Sequence, residues 1–504
     1  MKVYLAGYNV DTTVLRELQK EGRERMDVTP EVLSAAYARI SRDPRPVNEL
    51  RDDSRNEVER ARKSNQTIIF KMGHHSVAEH AVFNLDILGV SRLAMEELEK
   101  FRLCSYTEKS QRYITLDKDF VIPGEIKGTR YEAIFTEMIR QQNEAYHQFF
   151  AKLKTYVFEK HVQLAKDEKN HNLLEGWAKE DARYITALAT ESQVGLTVNA
   201  RNLELMLRRF ASHPLSEIQE LGRAVYGAIS EVAPSIVLFH SANDRDLRTY
   251  PELKELAGDM IRKAPGDVSG KDRADVQLIE YNEDSDTLVA AALLHTSSDL
   301  DYQQCKVMAK AMSESDRKRI FETVFRNLQL YDSMLREFEY VNLTYQIVLS
   351  AACFGQLKRH RMATTTAQAY DPRLGITVPE SVRETGLEEP FRAMVEKTNE
   401  AYQTLRREVP LAAPYILTNA HRKRVLMRVN ARELYHISRL REDAHAQWDI
   451  QNIARAMSGE ARKVMPLVCG LIGGKDRYNE IYASLYGHPP KVTEAVLPGV
   501  RKIK

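Results

Sequence analysis

The chain has 504 residues, more than one hydrophobic core usually serves, so its length predicts two domains of ordinary size. Its hydrophobic fraction of 43% and charged fraction of 29% are globular values, and a formal net charge of +2 argues against nucleic-acid or membrane partners held mainly by charge. Four scattered cysteines without a CxxC pair, no long apolar run and no signal-like N-terminus lead us to expect a cytoplasmic protein without disulfides or a thiolate metal site.

The predicted elements begin with two β-strands in the first half of the chain. Residues 2–5 form a short strand-like run, and residues 83–90 mix apolar and polar side chains as a half-buried strand does. Apolar residues recur at helical spacing in 217–232 and again in 450–457, which predicts two amphipathic helices. These patterns predict an α/β or α+β fold and do not choose between the two.

Two tandem copies of one module account for most of the chain. The string NEAY at 143–146 returns at 399–402, and NAR at 199–201 returns at 430–432. The openings of the two halves, VYLAGYN and VQLIEYN, also agree. Glycines and a proline in the joining segment indicate a linker. The predicted organisation, with a mixed sheet and helices in each copy, is a first copy at 1–263, a linker at 264–275 and a second copy at 276–504.

A cluster of histidines at 73–80 is the first candidate site. His75 and Glu79 lie four residues apart and could ligate a metal from one helix face. Ser76 could instead accept a backbone N–H and form a capping box with Glu79. The same side chains could also bind an organic ligand. The residues alone leave these three interpretations open.

A polar motif that occurs once in each half is the second candidate site. Residues 105–112 (SYTEKSQR) follow a poor lead-in, KFR, whereas 359–361 (RHR) is an intact lead-in followed by a decayed run. In the first run Glu108, Ser110 and Arg112 offer an acceptor, a donor and a cation at alternate positions. Because guanidinium groups make paired hydrogen bonds to phosphate, such a set can hold a nucleotide. A solvated polar loop and a basic surface patch are the structural alternatives.

The ordered set of motifs resembles the flavin-dependent thymidylate synthases. Their signature is Arg-His-Arg, two residues, Ser, one residue, Asn, two residues, Ser, one residue, Arg. They also carry Ala-Arg-Val-Ser and Gly-His-x-Ser/Thr-x-x-Glu-His upstream, and Asn-x-Arg-x-Leu, Leu-Arg and Ala-Gln-x-Glu-Ile downstream. The matching segments here are 38–41, 73–80, 105–112 and 199–201 in the first half, and 356–361, 430–434, 440–441 and 446–450 in the second.

The resemblance divides the binding of deoxyuridylate (dUMP) between the two halves. The second half supplies Gln356, Arg359 and Arg441, of which Arg441 is the predicted catalytic residue because it would stabilise negative charge on the pyrimidine. The first half supplies the opposite side of the nucleotide. The residues implied there are Glu108, Ser110, Arg112 and Arg183.

The departures from the family pattern fall in complementary places. In the first half Glu97 and Phe101 stand where the glutamine and the central histidine of the lead-in belong, and in the second half Ala369, Asp371 and Pro414 replace nucleotide residues. We therefore expect composite sites made from both halves. A homodimer that imitates the family's tetramer would have two working sites of four.

The resemblance implies FAD as the cofactor and assigns its contacts to both halves. In the second half the upstream cluster is incomplete, since Met334 and Arg336 replace the histidine and the hydroxyl while Glu339 remains. The residues implied to contact FAD are Ser41, His74, Ser76 and Glu79 in the first half, and Arg359, His360, Arg361, Asn430, Arg432 and His436 in the second.

The implied reaction is reductive methylation of dUMP to dTMP, with methylenetetrahydrofolate as one-carbon donor, NADPH as reductant and no resident metal. Two alternatives stay open. Thr107 and Thr366 both replace the signature asparagine, which fits a related flavoenzyme acting on another pyrimidine nucleotide. A non-catalytic protein that binds a nucleotide or flavin is the other alternative.

Overall fold

The computed structural model describes residues 1–18, 29–40, 43–112, 114, 116, 119–263 and 274–492. These residues divide into two compact units. Unit 1 is drawn from Met1–Ser269 and Val378–Ala420, and unit 2 from Gly270–Thr377 and His421–Lys504. The units differ from the predicted sequence copies, because the segment 378–420 of the second copy packs in unit 1. Most of the predicted linker, 264–273, lies outside the described residues.

Each unit contains a four-stranded antiparallel sheet. The strand orders are β1-β2-β4-β3 in unit 1 and β5-β6-β8-β7 in unit 2, so the described sheets share one topology. The strands are β1 Lys2–Tyr8, β2 Val82–Ser91, β3 Cys104–Glu108, β4 Glu191–Asn199, β5 Val276–Tyr281, β6 Asn342–Ser350, β7 Thr364–Ala367 and β8 Arg422–Asn430. The predicted class of sheets combined with helices is confirmed, with antiparallel pairings where a mixed sheet was expected.

The helices pack around these sheets. Those of unit 1 are α1 Thr12–Leu18, α2 Glu31–Arg39, α3 Val47–Asn56, α4 Val58–Asn65, α5 Arg92–Leu98, α6 Glu132–Lys160, α7 Val162–Ala165, α8 His171–Ala182, α9 Ala200–Ala211, α10 Ser216–Ser230, α11 Asp244–Lys263, α16 Glu380–Glu384 and α17 Glu388–Glu408. Those of unit 2 are α12 Ser285–Thr296, α13 Tyr302–Ala311, α14 Glu314–Phe325, α15 Ala351–Leu357, α18 Ala431–Arg441, α19 Trp448–Val464 and α20 Tyr478–Tyr486. Shorter turns include a π-helix at Gln66–Lys71 and 3₁₀ helices at His75–His80, Arg183–Ile185, Arg336–Tyr340 and Lys475–Arg477.

Alternating side chains make the central strands half-buried. In β2 the side chains of Phe83, Leu85 and Ile87 are buried, whereas Asn84 and Asp86 point to solvent. This is the alternation that a sheet with one covered face requires. The predicted strands at 2–5 and 83–90 are therefore confirmed as parts of β1 and β2, and the predicted helices as α10 and α19.

The same buried contact fixes the helix that follows the second strand of each sheet. In unit 1 Ser91 caps α5 and donates from Oγ to Glu217 at 2.7 Å. In unit 2 Ser350 caps α15 and donates to Asp449 at 2.6 Å. These contacts satisfy backbone N–H groups in the first turn of α5 or α15 and so fix where the helix starts. The start of the helix in turn determines where the residues at its end lie. None of the described helices is long and apolar enough to cross a membrane.

Candidate functional site

A cavity of about 500 Å³ lies in unit 2. Its walls come from residues along α18, the turn Arg336–Tyr340 and the segment 330–334. Asn430, Arg432 and His436, three residues that the resemblance assigns to FAD, all line it. Concave sites with apolar walls and a few polar groups are the usual form of cofactor pockets, so this cavity is the candidate site.

Arg432 is held in place at the wall of the cavity. Its Nε donates to the Met334 carbonyl at 2.8 Å, and its Nη1 lies 2.8 Å from Glu339 Oε1. Partial burial opposes ionisation of Glu339, but hydrogen bonds from Arg432 and Arg336 outweigh it and lower the pKa of this carboxyl. A charged Glu339 thus fixes the Arg432 guanidinium.

Unit 1 contains the corresponding pair. Arg201 forms an ion pair with Glu79, which the resemblance assigns to FAD. This pair is more exposed than the Arg432–Glu339 pair: side-chain exposure is 52% for Arg201 against 37% for Arg432.

Asn430 has a structural role in addition to its place in the cavity. Its Oδ1 accepts a hydrogen bond from the Glu433 backbone at 2.8 Å and so caps α18. Asn199 caps α9 in the same way, through the Asn202 backbone at 3.0 Å. The repeated NAR motif therefore starts a helix in both units, which is a sufficient reason for asparagine in each.

Next to Leu440 of the cavity wall, the predicted catalytic Arg441 contacts the central histidine of the RHR motif. Arg441 Nε donates to His360 Nε2 at 2.9 Å. His360 is only 4% exposed, and burial, Arg441 and the nearby His436 together hold its pKa well below the usual value. The structure thus brings three predicted residues together around a neutral imidazole.

The remaining predicted residues of unit 2 lie at the end of α15 or just after it. Gln356 is buried and donates from Nε2 to Gln447 at 3.1 Å, while its Oε1 is buried and has no hydrogen-bond partner within the described part of the chain. Arg359 lies just beyond the end of α15 and is exposed, and Arg361 is half-buried. An unsatisfied buried amide oxygen is a feature that a bound donor group would explain.

The nucleotide residues predicted in unit 1 lie at and beyond the end of β3. Glu108 is the last residue of β3 and accepts from Ser192 Oγ at 3.4 Å. Ser110 Oγ accepts from the Arg112 backbone at 3.2 Å. The three predicted residues of this motif are thus placed along one short connection.

Glu180 joins the two predicted arginines of unit 1. Arg112 forms an ion pair with its carboxylate, and Arg183 Nε donates to its backbone carbonyl at 3.3 Å. Burial raises the pKa of Glu180 against the effect of both arginines, and burial lowers that of Arg183. The sequence analysis missed Glu180. Its position three residues before Arg183, on the same helix face, was the available signal.

The histidine cluster forms a 3₁₀ helix at His75–His80. His74 precedes its first residue, no side chain caps it, and Ser76 lies inside it, so the capping box is not formed. His74 and Ser76 are exposed. Across the described residues no His, Cys, Asp or Glu side chains are grouped to hold a metal ion, and this includes 73–80. Ser41, also assigned to FAD, lies outside the described residues.

Comparisons with known proteins identify relatives for both halves of the chain. The family model described as thymidylate synthase complementing protein matches residues 25–235 and again 277–467. A flavin-dependent thymidylate synthase of Clostridium tetani is 31% identical over 212 residues, covering 41% of this chain and 80% of that protein. A UPF0159 protein of Chlamydia pneumoniae is 25% identical over 434 residues, covering 82% of this chain and 81% of its own.

One solved structure is also similar over part of the chain. Thymidylate Synthase X from Helicobacter pylori with FAD and dUMP aligns over 47% of this chain and 99% of its own, at 16% identity and a TM-score of 0.31. The double match of the family model confirms the resemblance, including its tandem form.

Proposed function

The chain belongs to the thymidylate synthase complementing protein family, and we propose that it is a flavin-dependent thymidylate synthase. The proposed reaction is the conversion of dUMP to dTMP with methylenetetrahydrofolate and NADPH as co-substrates. The observation that carries the proposal is the unit 2 cavity, which three of the predicted cofactor residues line. One of them, His436, contacts the ring of His360, to which Arg441 donates a hydrogen bond. A cytoplasmic location and a homodimer that imitates a tetramer belong to the same proposal.

The residues of the cavity fit FAD, which combines a flat ring system with two phosphates. Leu330, Met334 and Leu440 supply apolar wall, and Arg432 and Lys475 supply cations. When bound, FAD would supply the hydride chemistry, while the protein supplies position and electrostatic field.

The chain's own residues have distinct tasks in this proposal. Arg441 would place a permanent positive charge against the pyrimidine, where negative charge develops during methyl transfer. Gln356 and Arg359 would hold the nucleotide from the same unit. Arg112 and Arg183 of unit 1 would bind its phosphate, which suits guanidinium groups.

A purified sample tests the proposal directly. We expect a yellow protein, or one that binds added FAD, in which dUMP accelerates NADPH oxidation and methylenetetrahydrofolate gives thymidylate. Arg432→Met should weaken FAD binding, whereas the matched Arg201→Met in unit 1 should affect it less. A colourless protein that fails to bind added FAD would refute the proposal.

The complementary departures of the two halves support composite sites, and mixed oligomers test them. Arg112→Ala and Arg359→Ala chains should each be inactive. If a site takes its two sets from different chains, mixing the variants during refolding restores part of the activity. If both sets come from one chain, the mixture stays inactive. Full activity of either single variant would contradict the composite site.

A second candidate is a related flavoenzyme that modifies another pyrimidine nucleotide. Thr107 on β3 and Thr366 on β7 both replace the signature asparagine, so neither copy keeps that amide. A panel of uridine and cytidine nucleotides in the NADPH oxidation assay distinguishes the two candidates by which nucleotide gives the higher kcat/KM.

A further inference from the structure

Glu433, His360 and Arg441 form a line of contacts in unit 2. His360 Nε2 lies 2.9 Å from Arg441 Nε, and His360 Nδ1 lies 3.5 Å from Glu433 Oε1. Glu433 and Arg441 are both on α18, about 12 Å apart along its axis at the rise of an α-helix. They are too distant to contact each other directly, and the imidazole ring of His360 lies between them.

The chemistry of the contacts fixes the state of the histidine. An arginine Nε–H can only donate, so His360 Nε2 must be unprotonated, and the neutral ring carries its proton on Nδ1. That proton lies on the side of the Glu433 carboxylate, at an Nδ1–Oε1 distance of 3.5 Å, where Nδ1 makes no hydrogen bond to any described residue. The charged and titratable groups placed around the ring are Glu433, His436 and Arg441 from α18 and the chain neighbours Arg359 and Arg361. A protonated ring would lie against the Arg441 guanidinium, and burial, Arg441 and His436 hold the pKa of His360 well below its usual value.

Unit 1 has apolar residues in two of these three places. The lead-in KFR puts Phe101 where RHR has His360, and Phe210 holds the position of Arg441 at the end of the helix that begins with NAR. The two rings contact edge to face, with centroids 5.8 Å apart. The place of Glu433 is taken by Asn202, whose Nδ2 bonds to the cap residue Asn199 at 2.8 Å. All three positions thus differ together between the copies.

The comparison shows that the fold does not need the polar set. An aromatic pair fills the same positions in unit 1, and an apolar pair avoids the cost of removing charge from water. In unit 2 a buried histidine and a half-buried arginine carry that cost, and packing does not explain them.

We propose that His360 and Glu433 are positioning residues for Arg441, a role that rests on the function proposed above. Glu433 favours the ring tautomer with the proton on Nδ1, and Nε2 of that tautomer holds the Arg441 Nε–H and so fixes the plane of the guanidinium. The nucleotide would then meet a cation with a set orientation. The first copy has Asn202 in the place of Glu433, so within this chain the support belongs to the second copy.

Variants of His360 test the role with a conservative rescue. His360→Phe copies unit 1 and should lower kcat for dUMP by about 100-fold, the scale of a misplaced catalytic group, with thermal unfolding unchanged. His360→Gln should retain most of the activity, because its amide can both accept from Arg441 and donate to Glu433. Glu433→Leu should reduce kcat by a larger factor than it changes KM. Asn202→Leu, the matched change in unit 1, should leave kcat unchanged.

Nitrogen-15 NMR of labelled histidine provides a readout that does not depend on turnover. The His360 signal, assigned among the 14 histidines by its loss in His360→Gln, should show a protonated Nδ1 and an unprotonated Nε2 from about pH 6 to 8. Glu433→Leu should increase the opposite tautomer. A protonated Nε2 in the wild-type protein, or wild-type kcat in His360→Phe, would overturn the inference. If the wild-type protein produces no thymidylate, the proposed function fails, while the tautomer and its response to Glu433 still decide the positioning role.

Discussion

Replacing Asn430 by alanine separates the structural role of this residue from its proposed role in binding FAD. The change removes the hydrogen bond from the Glu433 backbone at 2.8 Å that starts α18. Loss of an asparagine cap costs about 1 kcal/mol of stability. If Asn430 also donates one hydrogen bond to FAD, its loss should weaken FAD binding by about tenfold, equivalent to about 1.4 kcal/mol.

The chain contains a matched control for this prediction. Asn199 caps α9 with a bond of 3.0 Å, so Asn199→Ala should cost the same stability of about 1 kcal/mol. We expect it to leave FAD affinity unchanged, because Asn199 is not among the residues that the resemblance assigns to FAD. Asn430→Ser should restore the cap without restoring the amide.

Two measurements check these expectations. Urea denaturation, followed by helical circular dichroism, gives the stability change, and quenching of flavin fluorescence on binding gives the dissociation constant. Equal FAD affinities for Asn430→Ala and Asn199→Ala would refute a binding role for Asn430. Failure of Asn430→Ser to recover stability would refute the capping argument.

Three further predictions concern buried polar contacts in the two units. Glu180→Leu removes an ion-pair partner of the partly buried Arg112 and should cost about 3 kcal/mol in urea denaturation; a loss below about 1 kcal/mol would show that the pair is effectively solvated. Ser350→Ala removes the cap of α15 and a 2.6 Å bond to buried Asp449, and should cost about 2 kcal/mol by calorimetry, whereas an unchanged transition would contradict this role. Burial opposes ionisation of Asp246, but hydrogen bonds with the Arg208 side chain and the Asn243 backbone lower its pKa overall. The stabilisation by this carboxylate is therefore present above the pKa of the unfolded state and is lost as the pH falls through the pKa of the folded state. Asp246→Asn should therefore be less stable than the wild-type protein at pH 7, and the difference should shrink as the pH falls below the ordinary range of an aspartate; a difference that does not change with pH would exclude the carboxylate as the cause.

Local sequence patterns predicted the elements that are periodic over several residues. The alternation in 83–90 and the helical spacing in 217–232 correspond to β2 and α10, since burial of one face leaves a direct trace in the sequence. No local pattern in the sequence predicts that the segment 378–420 packs in unit 1. This packing depends on long-range contacts such as Gln142 Nε2 with Thr398 Oγ1 and with the Ile416 carbonyl, each at 2.9 Å.

The resemblance grouped residues that the structure brings together, but it did not indicate the contacts that hold them. Asn430, Arg432 and His436 do meet in one cavity, as the resemblance implied. Glu180 and Glu433 were missed, because the motifs contain the groups expected to touch ligands and not the carboxylates that hold those groups. Such supporting carboxylates become visible only when the folded chain shows which buried cation or ring each one faces.

The two copies show which features the fold requires and which a site requires. The seryl cap bonded to a buried acid occurs in both, as Ser91 with Glu217 and Ser350 with Asp449, because each sheet needs its following helix fixed. In unit 1 the aromatic pair Phe101 and Phe210 occupies the positions of His360 and Arg441, and the two rings pack against each other. A buried polar contact that an apolar pair can replace is difficult to explain by stability, since removing it from water is costly. Comparing equivalent positions within one chain therefore identifies candidate functional groups without reference to any other sequence.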